Sequence, residues 1–555
     1  MMQKKTKGFW PIIAYLLLAT LIYYVLNTKS LIGIDDANIY FVYMRNLAKG
    51  YGFVFNQGGE KVEGFTSLLW TLIGALLFKL SEYYNILLIV FNIILISIIL
   101  FRLRIFFYQR FPTNGFSIFL FLLAVLLVIP GFIEWTILSL LETGLWCFLL
   151  VMPAIDILEF NAEDRSIHYS KLSIYVILMT ICRPEAMLWI PFFIIFNTYK
   201  EFLISRNSKF IFNNIGLLLV FAFSLFLLVQ WRINYFGYPL PNTYYAKVST
   251  NISHNLYLGL KYVGSFLIYN PVITVVLMVD LLGFIYLCKN EKLKMLINRK
   301  NFDFLFLFSI FLLSLFIPFY TGGDYFANYR FMQPTIPLIL ISVCTTSLFQ
   351  KLESKRINVL FAIPVLVLFV FFSSFHNYNI IKKHESKLAH EFIVAKDERF
   401  HSRELNKLFS VINDFPSQGV MAAGSCGYVY NGETIDMLAL NNLKMAHSPQ
   451  EYDARVMKNH AAFRKKVFFK QKPDLFWIAG DFINKKQTFQ NVKTIEIDDF
   501  NKIVFKHIDD LPQFKKDYVS CIITIKGYDK YLRIFASRVF LKTLDSHIFQ
   551  IKINP

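Results

Sequence analysis

Charge is scarce in this chain. Of 555 residues, 17% are Asp, Glu, Lys or Arg, against 55% hydrophobic residues that include 60 Phe. A soluble protein of this length carries more charge, so the shortage argues for a polytopic membrane protein. Cysteine is sparse too. The six cysteines are too scattered for a disulfide framework or a zinc site; Cys147, Cys182, Cys288 and Cys344 lie in or beside apolar runs. Cys426 and Cys521 share the polar C-terminal part, but their spacing lends a bridge no support. No small-residue cleavage site follows the start "MMQKKTKGFWPIIAYLLLATLIYYVLNTKS", which reads as a retained first span. Gly-x-Ser-x-Gly and HExxH are absent, which leaves hydrolase readings without a nucleophile or a metal. There is no internal repeat and no low-complexity segment.

What the chain has in quantity is apolar runs separated by basic loops. The net charge of +19 is spread over those loops, a positive-inside pattern and not a nucleic-acid groove. Apolar segments fall near 10–27, 64–80, 85–101, 115–131, 136–158, 171–182, 187–199, 211–231, 270–288, 302–320, 331–349 and 357–375. Lys4, Lys5 and Lys7 put the N-terminus inside, and "YKEFLISRNSK" (199–209), "KNEKLKMLINRK" (289–300) and "QKLESKR" (350–356) join it. A full crossing at 64–80 would push "FRLRIFFYQR" (101–110) outside, so that short segment is read as interfacial or re-entrant. The expected fold is a polytopic α-helical membrane domain over 1–375 with about eleven spans and a first outer loop over 28–84. An extracytoplasmic α/β domain over 376–555 follows. In it "GVMAAGSCGYVY", "TIDMLAL" and "KPDLFWIAG" read as strands and 398–414 as a helix.

This threading brings the polar motifs "IDDAN", "LETG" (141–144), "CRPEA" (182–186), "YPLPNTYYAK" (238–247) and "YTGGDYFANYRF" (320–331) to one outer face. Asp36 suits an N-cap of a helix that ends at Gly50 or Gly52, but capping leaves Asp35 unexplained. A carboxylate held rigid at the membrane surface suits a general base, and the sequence does not decide which of Asp35 and Asp36 takes that role. "FVFNQGGEKVEG" (53–64) reads as a hairpin turning at Gly58-Gly59, with Glu63 structural; it is not a phosphate loop, since Glu60-Lys61 stands where Lys-Ser/Thr would. Arg330 is either a headgroup-level Arg or a binder of phosphate through its forked donors, with Lys247 a second candidate. Arg183 and Glu142 are costly in lipid and belong near the outer face or in a polar cavity. His447 and His460, spaced by 13, have no Cys/Asp ligand set beside them, so no metal site is assigned.

The blocks "DDANIYFVYMRNLAKGYGFVFNQGGEKVEGFTSLLW", "LLETGLW", "CRPEA", "PNTYYAK", "GGDYFANYRF", "GVMAAGSCGYVYNGETIDMLALNNLKMAH" and "KPDLFWI" keep their order along nearly the whole chain. In them the chain resembles arabinofuranosyltransferase-like membrane enzymes of the GT-C superfamily, such as the mycobacterial terminal β-arabinofuranosyltransferases. Two positions depart from that pattern: Asn459-His460 where the family often has Gly-His, and Ala186 where it has Gly. The resemblance implies a multi-pass glycosyltransferase of the bacterial inner membrane with its C-terminal domain periplasmic. It would take a sugar from a polyprenyl-phosphate donor to a glycan or glycolipid acceptor, with no cofactor and no nucleic-acid partner. Asp35 or Asp36 would be the base; Arg330, Lys247 and Arg183 would hold the donor phosphate. Tyr244, Tyr245, Asp324, Glu142 and His447 would line the sugar and acceptor pocket. The rival readings are a transporter or flippase, and a polymerase, of lipid-linked saccharides.

Overall fold

The computed structural model describes residues 9–204, 209–247, 252–290, 298–299, 301–346, 382–449, 462–485 and 488–553. The segment 357–375, the boundary expected near 375, the loop "QKLESKR" and His460 lie outside the described residues. The chain is mostly helical, with a sheet confined to its C-terminal region.

Six described helices are long and apolar enough to cross a membrane: Phe9–Leu26, Tyr84–Arg110, Ala186–Ile204, Phe210–Phe236, Pro271–Lys289 and Phe302–Thr321. At 1.5 Å per residue an 18- to 20-residue helix spans about 27–30 Å, which matches a hydrocarbon core. Their outward faces are apolar. Leu17, Leu18 and Leu21 on the first helix, and Phe212, Leu219, Phe223 and Phe226 on the fourth, are exposed. Such surface is tolerated where the solvent is lipid. The chain is thus consistent with a multi-pass membrane protein.

Other apolar segments form shorter or broken helices. Leu68–Leu80 is a helix of 13 residues, about 20 Å long and short of a crossing. The segment at 136–158 is not one continuous helix. A π-helical turn over Glu134–Leu138 is followed by Leu140 at φ 59°, and a second helix, Thr143–Leu158, starts beyond it. The segment at 331–349 is likewise broken into Gln333–Thr335, Ile336–Ser342 and Val343–Thr345.

The basic segments gather at one end of the helical body. Asp303 binds Arg110 at 2.8 Å and Lys200 at 3.1 Å, joining the 101–110 and 199–209 segments to the start of the Phe302–Thr321 helix. That helix carries the chain to the opposite end, where it stops at Gly322 (φ 87°) and leads into Asp324 and Arg330.

The C-terminal region builds one six-stranded mixed sheet. Its strands are β1 (Gln418–Val420), β2 (Thr434–Asp436), β3 (Leu475–Asn484), β4 (Tyr518–Ile525), β5 (Lys530–Ser537) and β6 (Phe549–Ile553), in spatial order β2-β1-β3-β5-β4-β6. β1 pairs in parallel with β2 and β3; the remaining pairs are antiparallel. The expected helix lies at Ala389–Leu408, earlier than 398–414. "GVMAAGSCGYVY" is strand only as far as Val420; Ala423–Val429 is a helix. Cys426 and Cys521 are both free and buried.

Candidate functional site

The site is built where the first loop, two later loops and the C-terminal region meet. Asp35 and Asp36 occupy the first turn of the Asp35–Ala48 helix, whose N-cap is Ile34 with no side-chain cap. The expected capping by Asp36 is therefore not realised; Asp35 and Asp36 are the first two helical residues, past the cap position. The far end follows the sequence: Gly50, at φ 85°, closes the helix after Lys49.

The two carboxylates face different partners. Asp35 Oδ1 accepts from the Ser425 N–H at 2.7 Å, and Oδ2 accepts from the Gly424 N–H at 3.2 Å. Asp35 thus satisfies the first free amides of the Ala423–Val429 helix from a distant point in the chain. Burial pushes its carboxyl up to about 7 against those N–H groups, and Asp36 beside it adds to the rise. Asp36 is 22% exposed and has Lys247 Nζ 3.9 Å away.

Around Asp36 lies a cluster of charges. Tyr325 lies in the field of Asp36, Glu391 and Asp324, and Arg330 in that of Asp324, Arg183, Asp36 and Glu142. Burial, then the neighbouring Asp36, Asp35 and Asp324 carboxylates, push Glu391 up to about 7 against the pull of Arg330. Sequence reading missed Glu391 and Tyr325. Glu391 belongs to a polar helix with no motif, and only tertiary structure brings it here.

Arg330 is held in a fixed pose. Its guanidinium meets Asp324 at 2.6 Å and lies 4.9 Å over Phe326, 5.4 Å over Phe331 and 5.8 Å over Trp135. Four left-handed residues shape the loop, Gly322 and Gly323 at its start and Asn328 and Tyr329 just before Arg330. A side chain at Gly323 would meet the Tyr262 ring at 2.5 Å, so glycine is required there. Asn328 Nδ2 donates to Glu134 at 3.1 Å, and Trp135 Nε1 donates to the Ala327 carbonyl at 3.1 Å.

Arg183 lies deeper. It makes a forked pair with Glu185 (3.0 and 2.8 Å) and contacts Glu142 on its other side. Its charge is balanced by two carboxylates, the arrangement a buried guanidinium needs. Glu142 is in turn buried against it.

The "PNTYYAK" segment is a short helix, Asn242–Lys247. Asn242 Nδ2 donates to the Ala439 and Leu440 carbonyls at 2.8 and 2.9 Å, and its N–H donates to the Glu63 carbonyl at 3.0 Å. Glu63 is itself locked by Arg232 through bonds of 2.9 Å to each carboxylate oxygen. These contacts aim Lys247 at Asp36. His447 stacks on Tyr238 at 3.9 Å and packs on Tyr245 at 4.2 Å. Burial lowers its pKa below that of a free imidazole. Tyr244 is exposed. The structure therefore gathers Asp36, Lys247, Arg330, Asp324 and Glu391 around one point. Arg183 and Glu142 lie behind Arg330, and His447 with Tyr245 lies on the Lys247 side.

This arrangement offers a partly exposed carboxylate that can accept a proton, backed by cations that can stabilise a developing anion. Compared with known proteins, the chain matches no family model, and no curated protein is significantly similar to it.

Proposed function

We propose that the chain is a GT-C-type glycosyltransferase of the bacterial inner membrane with about eleven spans and a periplasmic C-terminal domain. It moves a sugar from a polyprenyl-phosphate donor to an envelope glycan or glycolipid. The observation that carries this reading is the division of labour between adjacent carboxylates. Asp35 is consumed by two backbone N–H groups, while Asp36 is left partly exposed beside Lys247 and within the electrostatic reach of Arg330. A scaffold needs only the first; a base needs the second.

In the reaction the acceptor hydroxyl attacks the anomeric carbon on the face opposite the phosphate. The new C–O bond forms as the bond from that carbon to the phosphate oxygen breaks. Asp36 takes the hydroxyl proton, and the electron pair leaves on polyprenyl phosphate. One displacement inverts the anomeric centre. Positioning of the two substrates and the positive field of Arg330 and Lys247 supply the stabilisation. The donor ester is already activated, so this chemistry calls for no further cofactor.

The reading also draws on the basic ends gathered around Asp303, opposite the acidic cluster, which suit a cytoplasmic and an outer end. The test is transfer of radiolabel from undecaprenyl-phosphate-linked sugars, pentoses and hexoses in parallel, to endogenous glycan in membranes that contain the protein. Glycan analysis of a deletion strain then names the missing residue. Movement of an intact lipid-linked glycan without transfer would replace this reading by the flippase one.

A further inference from the structure

A carboxyl group taken out of water needs a cation beside it or a proton on it. Glu63 has Arg232, Asp324 has Arg330 and Glu142 has Arg183. Glu134 is fully buried, yet among the described residues it forms no ion pair.

It belongs to the π-helical turn Glu134–Leu138, a form that often marks functional positions. The groups that touch it are polar and uncharged. Asn27 Nδ2 donates to Oε1 at 3.2 Å, and Asn328 Nδ2 donates to Oε2 at 3.1 Å. The Gly131 N–H also donates to the carboxyl, and the Ser386 hydroxyl lies against Oε1. Tyr23 of the Phe9–Leu26 helix lies in its field. Lys387, next to Ser386 in the chain, lies over the Tyr269 ring, and Arg330, over the Trp135 ring, pairs with Asp324.

This node is one proton short if Glu134 is ionised. Ser386 Oγ lies 2.6 Å from Asn27 Oδ1 as well as against Glu134 Oε1, and it accepts from the Leu388 N–H at 3.1 Å. A serine hydroxyl has one proton, so it donates to only one of those two oxygens. The other contact then joins two acceptors with no hydrogen between them. Turning the Asn27 amide over does not help, because Oδ1 would face the Tyr23 carbonyl that Nδ2 now bonds at 3.0 Å. A proton on Glu134 Oε1 completes every contact. Glu134 donates to Ser386, Ser386 donates to Asn27, and Asn27 donates to Tyr23 and Glu134. Burial pushes the Glu134 carboxyl above its ordinary range against its hydrogen-bond donors, in the same direction.

Three segments meet on this carboxyl. Asn27 follows the Phe9–Leu26 helix. Asn328, at φ 62°, shapes the turn two residues before Arg330. Residues in and just before the π-helical turn hold that loop twice more: Trp135 donates to the Ala327 carbonyl, and a Cβ at Gly131 would meet Asn328 Cβ at 2.6 Å. Ser386, through its bond from Leu388, fixes the backbone ahead of the Ala389–Leu408 helix, whose first turn carries Glu391. Arg330 and Glu391 belong to one charge cluster but to distant stretches of chain. Glu134 is bonded to both stretches.

We propose that Glu134 is a positioning residue that acts as a neutral carboxylic acid, its proton locking the loop that bears Arg330 to the segment that bears Glu391. The consequence for transfer rests on the transferase reading; the proton and the lock do not.

The test uses the full-length protein in phosphatidylcholine nanodiscs, first without substrate. The infrared difference between the parent and Glu134→Gln should show the loss of one protonated carboxyl C=O stretch. Loss of carboxylate bands in its place overturns the neutral acid. Hydrogen exchange at the backbone amides of 324–331 should be about tenfold faster in Glu134→Ala than in the parent. Glu134→Gln keeps a donor for Ser386 and an acceptor for Asn328, so it should restore the protection, whereas Glu134→Met, which only fills the space, should not. Exchange in Glu134→Ala equal to the parent's, or full protection in Glu134→Met, overturns the lock. If Glu134→Ala does not fold, Ser386→Ala removes the acceptor of the proton and should still speed exchange at 324–331; unchanged exchange there is again fatal. With substrate, transfer per folded molecule should fall about tenfold in Glu134→Ala and recover to within about threefold of the parent in Glu134→Gln. An Asp36→Asn protein with full transfer would sink the transferase reading and leave the infrared and exchange results standing.

Discussion

Asp35 Oδ1 accepts a 2.7 Å hydrogen bond from the Ser425 N–H, across 390 residues of chain. That bond, with its neighbour from Gly424, fastens the C-terminal region to the Asp35–Ala48 helix. Asp35→Asn keeps the shape but presents an amide N–H₂ to one of two backbone donors. The expected cost is about 1–3 kcal/mol, from one buried donor left without an acceptor. Thermal unfolding in detergent should show a lower midpoint, and transfer per folded molecule should fall only slightly.

Asp36→Asn should do the opposite. Among the described residues no hydrogen bond joins Asp36 to the C-terminal region, and Lys247 is 3.9 Å from it. Stability should hold, while kcat for transfer falls about 10²- to 10⁴-fold, the range expected for loss of a general base. Donor KM should change little. A variant with normal kcat would show that another group takes the proton, and Glu391 would be the first to examine.

The dependence of stability on pH follows from the raised carboxyls. Asp35 and Glu391 are each pushed up to about 7 in the folded protein, against about 4 in an unfolded chain. The folded state therefore holds protons that the unfolded state has released. Their contribution is complete below pH ~4 and is lost as pH rises through about 7. The unfolding midpoint should drop between pH ~5 and ~7.5, and Glu391→Gln should flatten that slope. A midpoint that rises over the same interval would contradict the sign.

Much of this was legible in the residues. Hydropathy located the long helices, and Lys/Arg placement predicted that 101–110 and 199–209 share an end, where Asp303 now joins Arg110 to Lys200. The Asp35-Asp36 pair stood out because doubled charge beside an apolar run needs a reason. What could not be read was long-range. The Ala423–Val429 helix looks like a strand locally because its first amides find their acceptor in Asp35 and not in a nearby cap. Glu391 carries no motif, and its place in the charge cluster arises only from what the fold brings beside it. The π-helical turn at Glu134–Leu138 is equally invisible in an apolar run, being set by the Glu134 contacts to Asn27, Ser386 and Asn328.

The Glu63–Arg232 pair offers a structural counterpart to the Asp36 experiment. Both residues are buried and joined by bonds of 2.9 Å. Glu63→Ala leaves a buried guanidinium unpaired, at a cost of about 3–5 kcal/mol. It should lower the unfolding midpoint far more than Asp36→Asn, although both lie between the Phe9–Leu26 and Leu68–Leu80 helices. Replacing both residues by apolar ones of similar size should recover part of the loss, since no lone buried charge remains.

Gly424 gives the sharpest test of the joint between the two regions. A Cβ there would meet the Asp35 carbonyl oxygen at 2.0 Å and the Ile39 nitrogen at 2.8 Å, both backbone atoms of the Asp35–Ala48 helix. Backbone cannot swing aside as a flexible side chain can, so Gly424→Ala must move one helix away from the other. The shift lengthens the Asp35 bonds to Gly424 and Ser425 and withdraws Glu391 from Asp36, because the Ala389–Leu408 and Ala423–Val429 helices pack together. The expected cost is about 1–3 kcal/mol or more, typical of overpacking, with transfer reduced beyond the loss of folded protein. Gly216→Ala is the control, since a Cβ at that helical position meets nothing within 4 Å. It should leave both stability and transfer unchanged. If Gly424→Ala behaved like Gly216→Ala, the close approach of the C-terminal region to Asp35 would not exist in the membrane, and the separate roles given to Asp35 and Asp36 would fall with it.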